Sequence, residues 1–401
     1  MSQEPATTLE DDLRATLRRA AGHAPLAPPG LLAGVGRRSR RRARIRLLAS
    51  AAAVAVVTAG TVFAVRYEKP EPVVVNPSLP AITREQVVGS PAVEEVWPHA
   101  VRVVPATLKG VGRLRALALV DDRTTLLSTW GSHENANAVY AYDQVTRETR
   151  KVTDVPTRRG EISDGFLVVG DRLIWHVSTD TGAVMWEAPL SGGTARRLPG
   201  RLPHVPARME VRGDRFVYSA QEGVFSVPLT GGRPEPVPGG QGLFLLEWPW
   251  AGAFEPSDMA EIAFRRLVNL ETGEVSEVTP DPGDRTVICG VTTCSGLHAD
   301  GTPFVRGRDG TGERRLPGVS FGLAADRIMG LDDSRSGESE QYLVDVATGR
   351  AGSLELDMPL NAEGAYTTIA VTVDRRDMLS AHRTGARTLV IIDLRRIVSG
   401  R

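Results

Sequence analysis

Several short stretches of this chain carry residue types whose spacing could do chemistry. Gly318-Val319-Ser320-Phe321-Gly322 has the G-x-S-x-G spacing that lifts a serine nucleophile on a sharp strand-to-helix turn. Such a serine needs an acid and a histidine downstream. Only 79 residues follow, they read as strands, and their one histidine is His382. An ordinary structural segment is expected there. Asp332, Ser334, Ser336 and Gly337 mimic the first half of a calcium loop, but Leu343 stands where a bidentate glutamate should close it. A solvated polar turn accounts for that run. Ser178 to Trp186 comes near two ligand-turn patterns and completes neither, whereas a tight turn at Thr181-Gly182 explains it.

Cys289 and Cys294 are the two cysteines of the chain. With four residues between them, they suit a hairpin with both thiols facing across it, joined if the chain is exported. Two reduced core cysteines are the other reading. Without a CxxC pair or a Cys/His cluster, no metal site is expected, and no residue pattern calls for a cofactor. Trp248-Pro249-Trp250 offers an exposed aromatic recognition patch or, alternatively, core packing. No catalytic constellation emerges, and the expectation is a non-enzyme.

The elements that must position these residues form a ladder. An apolar strand, a tight turn and a more polar strand recur from Val139, Val184, Val224, Arg266, Phe304 and Tyr342. The strand at Thr388 adds a seventh start, and successive starts lie 45, 40, 42, 38, 38 and 46 residues apart. A second ladder runs beside it. Asp-Arg falls in the preceding turn at Asp122, Asp171, Asp214, Asp326 and Asp374, with a mean step of 42 residues between first and last. Asp suits such turns because its side chain bonds the nearby backbone.

Four strands per roughly 40 residues, seven times over, predict an all-β, seven-bladed β-propeller across 98–401. Blade one has four candidate strands: Leu114–Val120, Thr124–Thr129, Ala138–Asp143 and Glu148–Val152. The last blade has three, Thr367–Asp374, Met378–His382 and Thr388–Leu394. The run Ala100–Val104 is left over to close the ring. The fourth blade is irregular around LFLLEWPWAGAFEPSDMAEIAF.

The units DGTGERRLPG and LTGGRPEPVPG resemble the repeat of TolB-type and WD40-like bacterial propellers, over about residues 100–400. That resemblance implies fold much more than function.

The first 65 residues are different in kind. Residues 1–46 hold ten Arg against four acidic residues, leaving 38 basic against 44 acidic beyond them. A mildly acidic main domain is a poor partner for nucleic acid. Leu47 to Val65 is 19 residues without a charge, about 28 Å as a helix. Seven arginines between Arg37 and Arg46 precede it and hold the N-terminus inside. A retained single-pass anchor is expected, with a cleaved export signal as the rival. Residues 66–97 read as a Pro-rich, extended linker that holds the propeller off the bilayer.

The basic start followed by one helix resembles anchored, anti-sigma-like regulators of high-GC bacteria, though it lacks the His-x3-Cys-x2-Cys zinc motif of one common class. The expectation is a cell-membrane protein with an extracytoplasmic propeller that binds or senses. Its residues 1–36 would meet a cytoplasmic protein, for which the resemblance suggests a sigma factor. A propeller hydrolase or lyase is the rival, favoured by an Asp/Glu/His cluster in the central channel and disfavoured by a lining of Ser, Thr and Arg.

Overall fold

The computed structural model describes residues 82–129, 136–158, 160–253, 262–279, 281–324, 326–333, 340–354, 378–382 and 387–399. The basic segment 1–46, the apolar run 47–65 and the linker up to residue 81 lie outside them. Among the described residues no helix is long and apolar enough to cross a membrane.

Seven sheets follow one another along the chain, antiparallel but for one short parallel pairing in the fifth. The six full recurring units of the sequence are each the third and fourth strand of one sheet, and the Asp-Arg pairs at Asp122, Asp171, Asp214 and Asp326 sit in the turn between the first and second, while the pair at Asp374 lies outside the described residues. Blade one runs Gly112–Leu119, Thr124–Thr129, Ala138–Asp143 and Thr149–Asp154. Blade two runs Ile162–Val169, Arg172–Thr179, Gly182–Pro189 and Arg196–Arg197. The first strands of blades one, two and three touch in succession, which places them around the axis of a ring. This is the seven-bladed propeller.

The blades hold together through their faces because strand side chains alternate with period two. On the second strand of blade two, Leu173, Trp175 and Val177 pack with Leu117, Leu126 and Val139 of blade one. The intervening Ile174 packs with Phe216 and Tyr218 of blade three. Each fully buried Leu, Ile or Val contributes about 1.5–3 kcal/mol, so each blade depends on both neighbours.

The ring closes with the expected leftover run. Val101–Pro105 pairs antiparallel with Thr388–Ile392, Val103 opposite Val390. Strand Met378–His382 lies on the other side of Thr388–Asp393, while 367–374 is outside the described residues. Val103 points outward at 43% exposure, whereas Val104 joins Leu389 and Ile391 against Leu114 and Leu127 of blade one.

The linker assignment needs correction over its last part. Residues 84–88 form helix α1 and residues 93–96 form helix α2. Thr83 caps α1 in a reciprocal capping box with Gln86. Ile82 and Val87 pack on blade six, and Val93 and Trp97 fill the seam between blades six and seven. Two helices this short have too few residues for a visible period, so proline content dominated the sequence reading. Burial of four apolar side chains makes 82–97 part of the propeller.

Blade four explains its own irregularity. Phe244–Glu247, Trp250–Gly252, Arg266–Asn269 and Val275–Glu277 form its sheet. The extra residues fall between its second and third strands. The end of that insertion, Ile262–Ala263, pairs in parallel with Val287–Ile288 on the first strand of blade five.

Candidate functional site: a cavity on the propeller axis

The Asp-Arg ladder places its arginines systematically. The four described ones stand at the head of a second strand and reach an acid within their own blade: Arg123 to Asp143, Arg172 to Glu187, Arg215 to Glu235 and Arg327 to Asp345. Two of these acids, and an Asn in blade four, shape the turn after the third strand. Asp143, Asn269 and Asp345 each accept backbone N–H groups two residues on. Those contacts hold the Asp143 carboxyl below its usual range, led by the Thr146 N–H. The ladder is therefore structural, and it leaves the axis to other residues.

A cavity of about 590 Å³ opens where the first strands of blades one to three converge. Glu247 of blade four and Met378 and Arg395 of blade seven complete its wall. Its polar groups begin at Asp164, which pairs across the sheet with His176. Register shifts between Asp164 and Leu167, so the first strand of blade two bulges there. Gly165 sits in the bulge at φ +66°, and a Cβ on it would stand 2.6 Å from His176 Nδ1. Only glycine fits over the imidazole.

His176 is 3% exposed, and its Nδ1 has no hydrogen-bond partner. Burial pushes its pKa down to about 4, against the opposing pull of Asp164. It is neutral at pH 7. Asp164 is exposed, and its Oδ1 accepts the Gly165 N–H at 2.8 Å.

Glu210, one blade further on, lies between two guanidiniums. Arg208 Nε donates to it at 2.9 Å and Arg212 Nη2 at 3.1 Å. The Trp248 backbone N–H adds a third donor at 3.3 Å from blade four. Phe166 and Met209 supply buried apolar wall. The lining thus interleaves carboxylates, a histidine and arginines.

The sequence-singled residues lie elsewhere. Trp248 is half-buried against the seam of blades three and four, its Nε1 donating to Glu271 at 2.8 Å. Trp250 is half-buried against Leu246, Phe264 and Leu267. Both rings pack on core clusters. Cys289 and Cys294 pair directly across a hairpin of blade five, Sγ to Sγ 2.04 Å, both buried beside Val287 and Phe304.

The tip of that hairpin is held by its neighbours. Asp326 of blade six accepts the Thr292 N–H at 2.9 Å. Buried Arg308 donates to the carbonyls of Phe264, Arg265, Ser276 and Gly290. Its burial lowers the guanidinium pKa to about 10, with Asp326 opposing. Ser320 lies within strand Val319–Ala324 opposite Leu331, so no strand-to-helix elbow is built. Asp332 ends in strand Ile328–Asp333, and residues 334–339 of the calcium-like run lie outside the described residues. Among the described residues no three His, Cys, Asp or Glu gather closely enough to hold a metal ion.

No family model matches this chain, and no curated protein matches it. Among solved structures it is similar to a putative TolB from Agrobacterium tumefaciens, at 13% identity and a TM-score of 0.32, over 64% of this chain and 87% of that one. It is also similar to the tricorn protease, at 14% identity and a TM-score of 0.25, over 71% of this chain. The chain spans 30% of the tricorn protease's length. Likenesses this distant carry no argument, and the seven-bladed ring rests on its own hydrogen-bonded sheets.

Proposed function

We propose that this protein is a non-catalytic binding and sensing module whose ligand enters the axial cavity of the propeller. The observation that carries the reading is Glu210 held between Arg208 and Arg212 at 2.9 and 3.1 Å. A carboxylate whose oxygens are taken up by two guanidiniums and a backbone N–H is set to hold charge in place. In this reading residues 47–65 anchor the chain in the cell membrane with the propeller outside. Residues 1–36 then meet a cytoplasmic protein, with a sigma factor as the candidate that the anchored-regulator resemblance suggests.

One observation favours the enzyme alternative, a hydrolase or lyase acting in the channel: Asp164 lies opposite His176 at the cavity wall. Against it, the imidazole is 3% exposed and lies beneath Gly165.

Native mass spectrometry of the full chain after incubation with a cell metabolite extract separates the two. Binding predicts an unaltered small molecule retained by the protein and lost from an Arg212→Ala variant. Conversion of that molecule during incubation, or equal retention by the variant, contradicts the reading.

A further inference from the structure

We infer that the Cys289–Cys294 bond is a redox-set clamp on the junction of blades four, five and six. Formed, it fixes the turn on which both neighbours seat; reduced, it frees that sector alone. The turn is Gly290-Val291-Thr292-Thr293, between the first and second strands of blade five. Blades one, two, three and six carry an Asp-Arg pair there, and this blade does not. Its turn closes on a 2.7 Å bond from the Gly290 N–H to the Thr293 carbonyl, flanked by the paired cysteines.

Both neighbours build on that turn. From blade four, Leu246, Phe264 and Leu267 receive Val291. Arg308, 5% exposed, bridges the same seam, its Nη1 donating to the Gly290 carbonyl at 2.9 Å and the Phe264 carbonyl at 3.0 Å. Its backbone N–H donates to the Thr292 carbonyl at 2.9 Å. From blade six, Asp326 accepts the Thr292 N–H, and a Cβ on Gly290 would stand 1.5 Å from its Oδ1. A buried guanidinium and a buried carboxylate thus take partners from one four-residue turn. Each loses a partner if the turn changes shape.

The state of the bond therefore sets how often this turn opens. Reduction brings two electrons and two protons from a dithiol, which leaves as a disulfide, and yields two cysteine thiols. The two strands then part without a covalent link, and the turn opens together with its contacts to Arg308 and Asp326. Formation runs the other way, with an external disulfide taking the electrons. Cys289 and Cys294 are 1% and 0% exposed, so an attacking thiolate reaches sulfur only in an opened chain. The bond is consequently set while the chain folds, and it records whether that compartment is oxidising. Leu246, on which Val291 rests, precedes Glu247 of the cavity wall, so the freed sector includes part of that wall. The seams of blades one to three, packed by Trp175, Ile174 and Phe216, share no residue with the junction.

Hydrogen exchange read by peptide mass spectrometry on the detergent-solubilised full chain tests this in three states. These are the oxidised parent, the parent refolded in dithiothreitol, and a Cys289→Ala/Cys294→Ala variant. Amides of residues 244–247, 286–294 and 304–308 should exchange about thirtyfold faster in the last two states, the chain-entropy value for so small a loop. Those of residues 172–179 and 215–220 should be unchanged. Unchanged exchange at the junction overturns the inference. Equal acceleration in every blade overturns it too, as does a reduced chain that regains no protection in blades two and three, since either makes the bond a property of the whole ring. Acceleration in the variant but not in the reduced parent assigns the effect to the lost side chains and contradicts a redox clamp.

Discussion

Arg102 of the closing strand donates from Nη1 to the Thr125 hydroxyl of blade one, 3.4 Å away, and to the Thr124 carbonyl at the same distance. Side chain and backbone thus join the seventh blade to the first on the strand that also completes the sheet. Burial lowers the guanidinium's pKa, the cost of placing a cation there. Arg102→Met should lose about 1–2 kcal/mol in urea unfolding, since it strips a donor from two part-buried acceptors. A chain beginning at residue 107 lacks the strand, both helices and their buried side chains. It should melt broadly and lower than one beginning at residue 82, and equal cooperative melting would show that closure is dispensable.

Arg327 makes a two-pronged pair with Asp345, at 2.7 and 2.8 Å, and also donates to the Val398 carbonyl of the C-terminal helix α3, residues 394–399. Asp345 is 2% exposed. Arg327→Leu strips that buried carboxylate of its hydrogen-bonded cation and leaves it only the Coulombic pull of Arg314, and a loss of about 3 kcal/mol is expected. Adding Asp345→Asn should recover part of it. A cost no larger for the single variant than for the double would mean the pair is not coupled.

Arg147 occupies the left-handed position, φ 59°, of the turn after the third strand of blade one. Gly273 and Gly349 hold the same place in blades four and six, at φ 74° and 73°. Arg147 is exposed, so Arg147→Gly should stabilise by about 1 kcal/mol, the strain of an L-residue there. A Tm rise of about 2 °C is the expected reading, and a fall would show an unrecognised contact.

His176 makes stability depend on pH. Its folded pKa of about 4 lies below the unfolded value of 6.5. Below pH 6.5 the unfolded chain takes up a proton that the folded chain refuses until about pH 4. This contribution is therefore complete above 6.5 and lost as pH falls through that window, by about 3 kcal/mol in total. His176→Gln should flatten that segment of the stability curve. An unchanged slope would place the proton uptake on other groups.

The hairpin cysteines close a small loop, for which the chain-entropy estimate is about 2 kcal/mol. Protein from its native compartment, denatured without reductant, should show no labelled thiol at Cys289 or Cys294. Labelling of both would contradict the bond and the exported location together.

What the sequence disclosed was set by distance along the chain. Blade number was legible because the third and fourth strands of each blade are adjacent in sequence and carry the Gly-rich turn between them. The closing strand was legible as a β-prone run left over, with Arg102 and Val104 on one face. The ladder arginines were visible, but their role was not, since each partner lies about 15–20 residues away. The axial cavity was invisible for a stronger reason. Asp164, His176, Glu210 and Arg212 come from three strands in two blades, and no local pattern records a convergence of that kind. Asp164-Gly165 was the usable signal, a glycine inside an otherwise apolar strand, where a bulge or close approach is common. Trp248 and Trp250 are half-buried against core clusters, and sequence alone did not separate that packing from a recognition patch, because a tryptophan at a seam and one at a patch look alike there.

Orientation across the membrane is the claim on which sensing depends, and proteolysis of intact protoplasts measures it. Protease added outside should degrade the propeller and leave a protected stub that contains residues 1–46 and the apolar run 47–65. A propeller that resists until the cells are lysed, or one shed into the medium without residues 47–65, would contradict an outward-facing module held by that run.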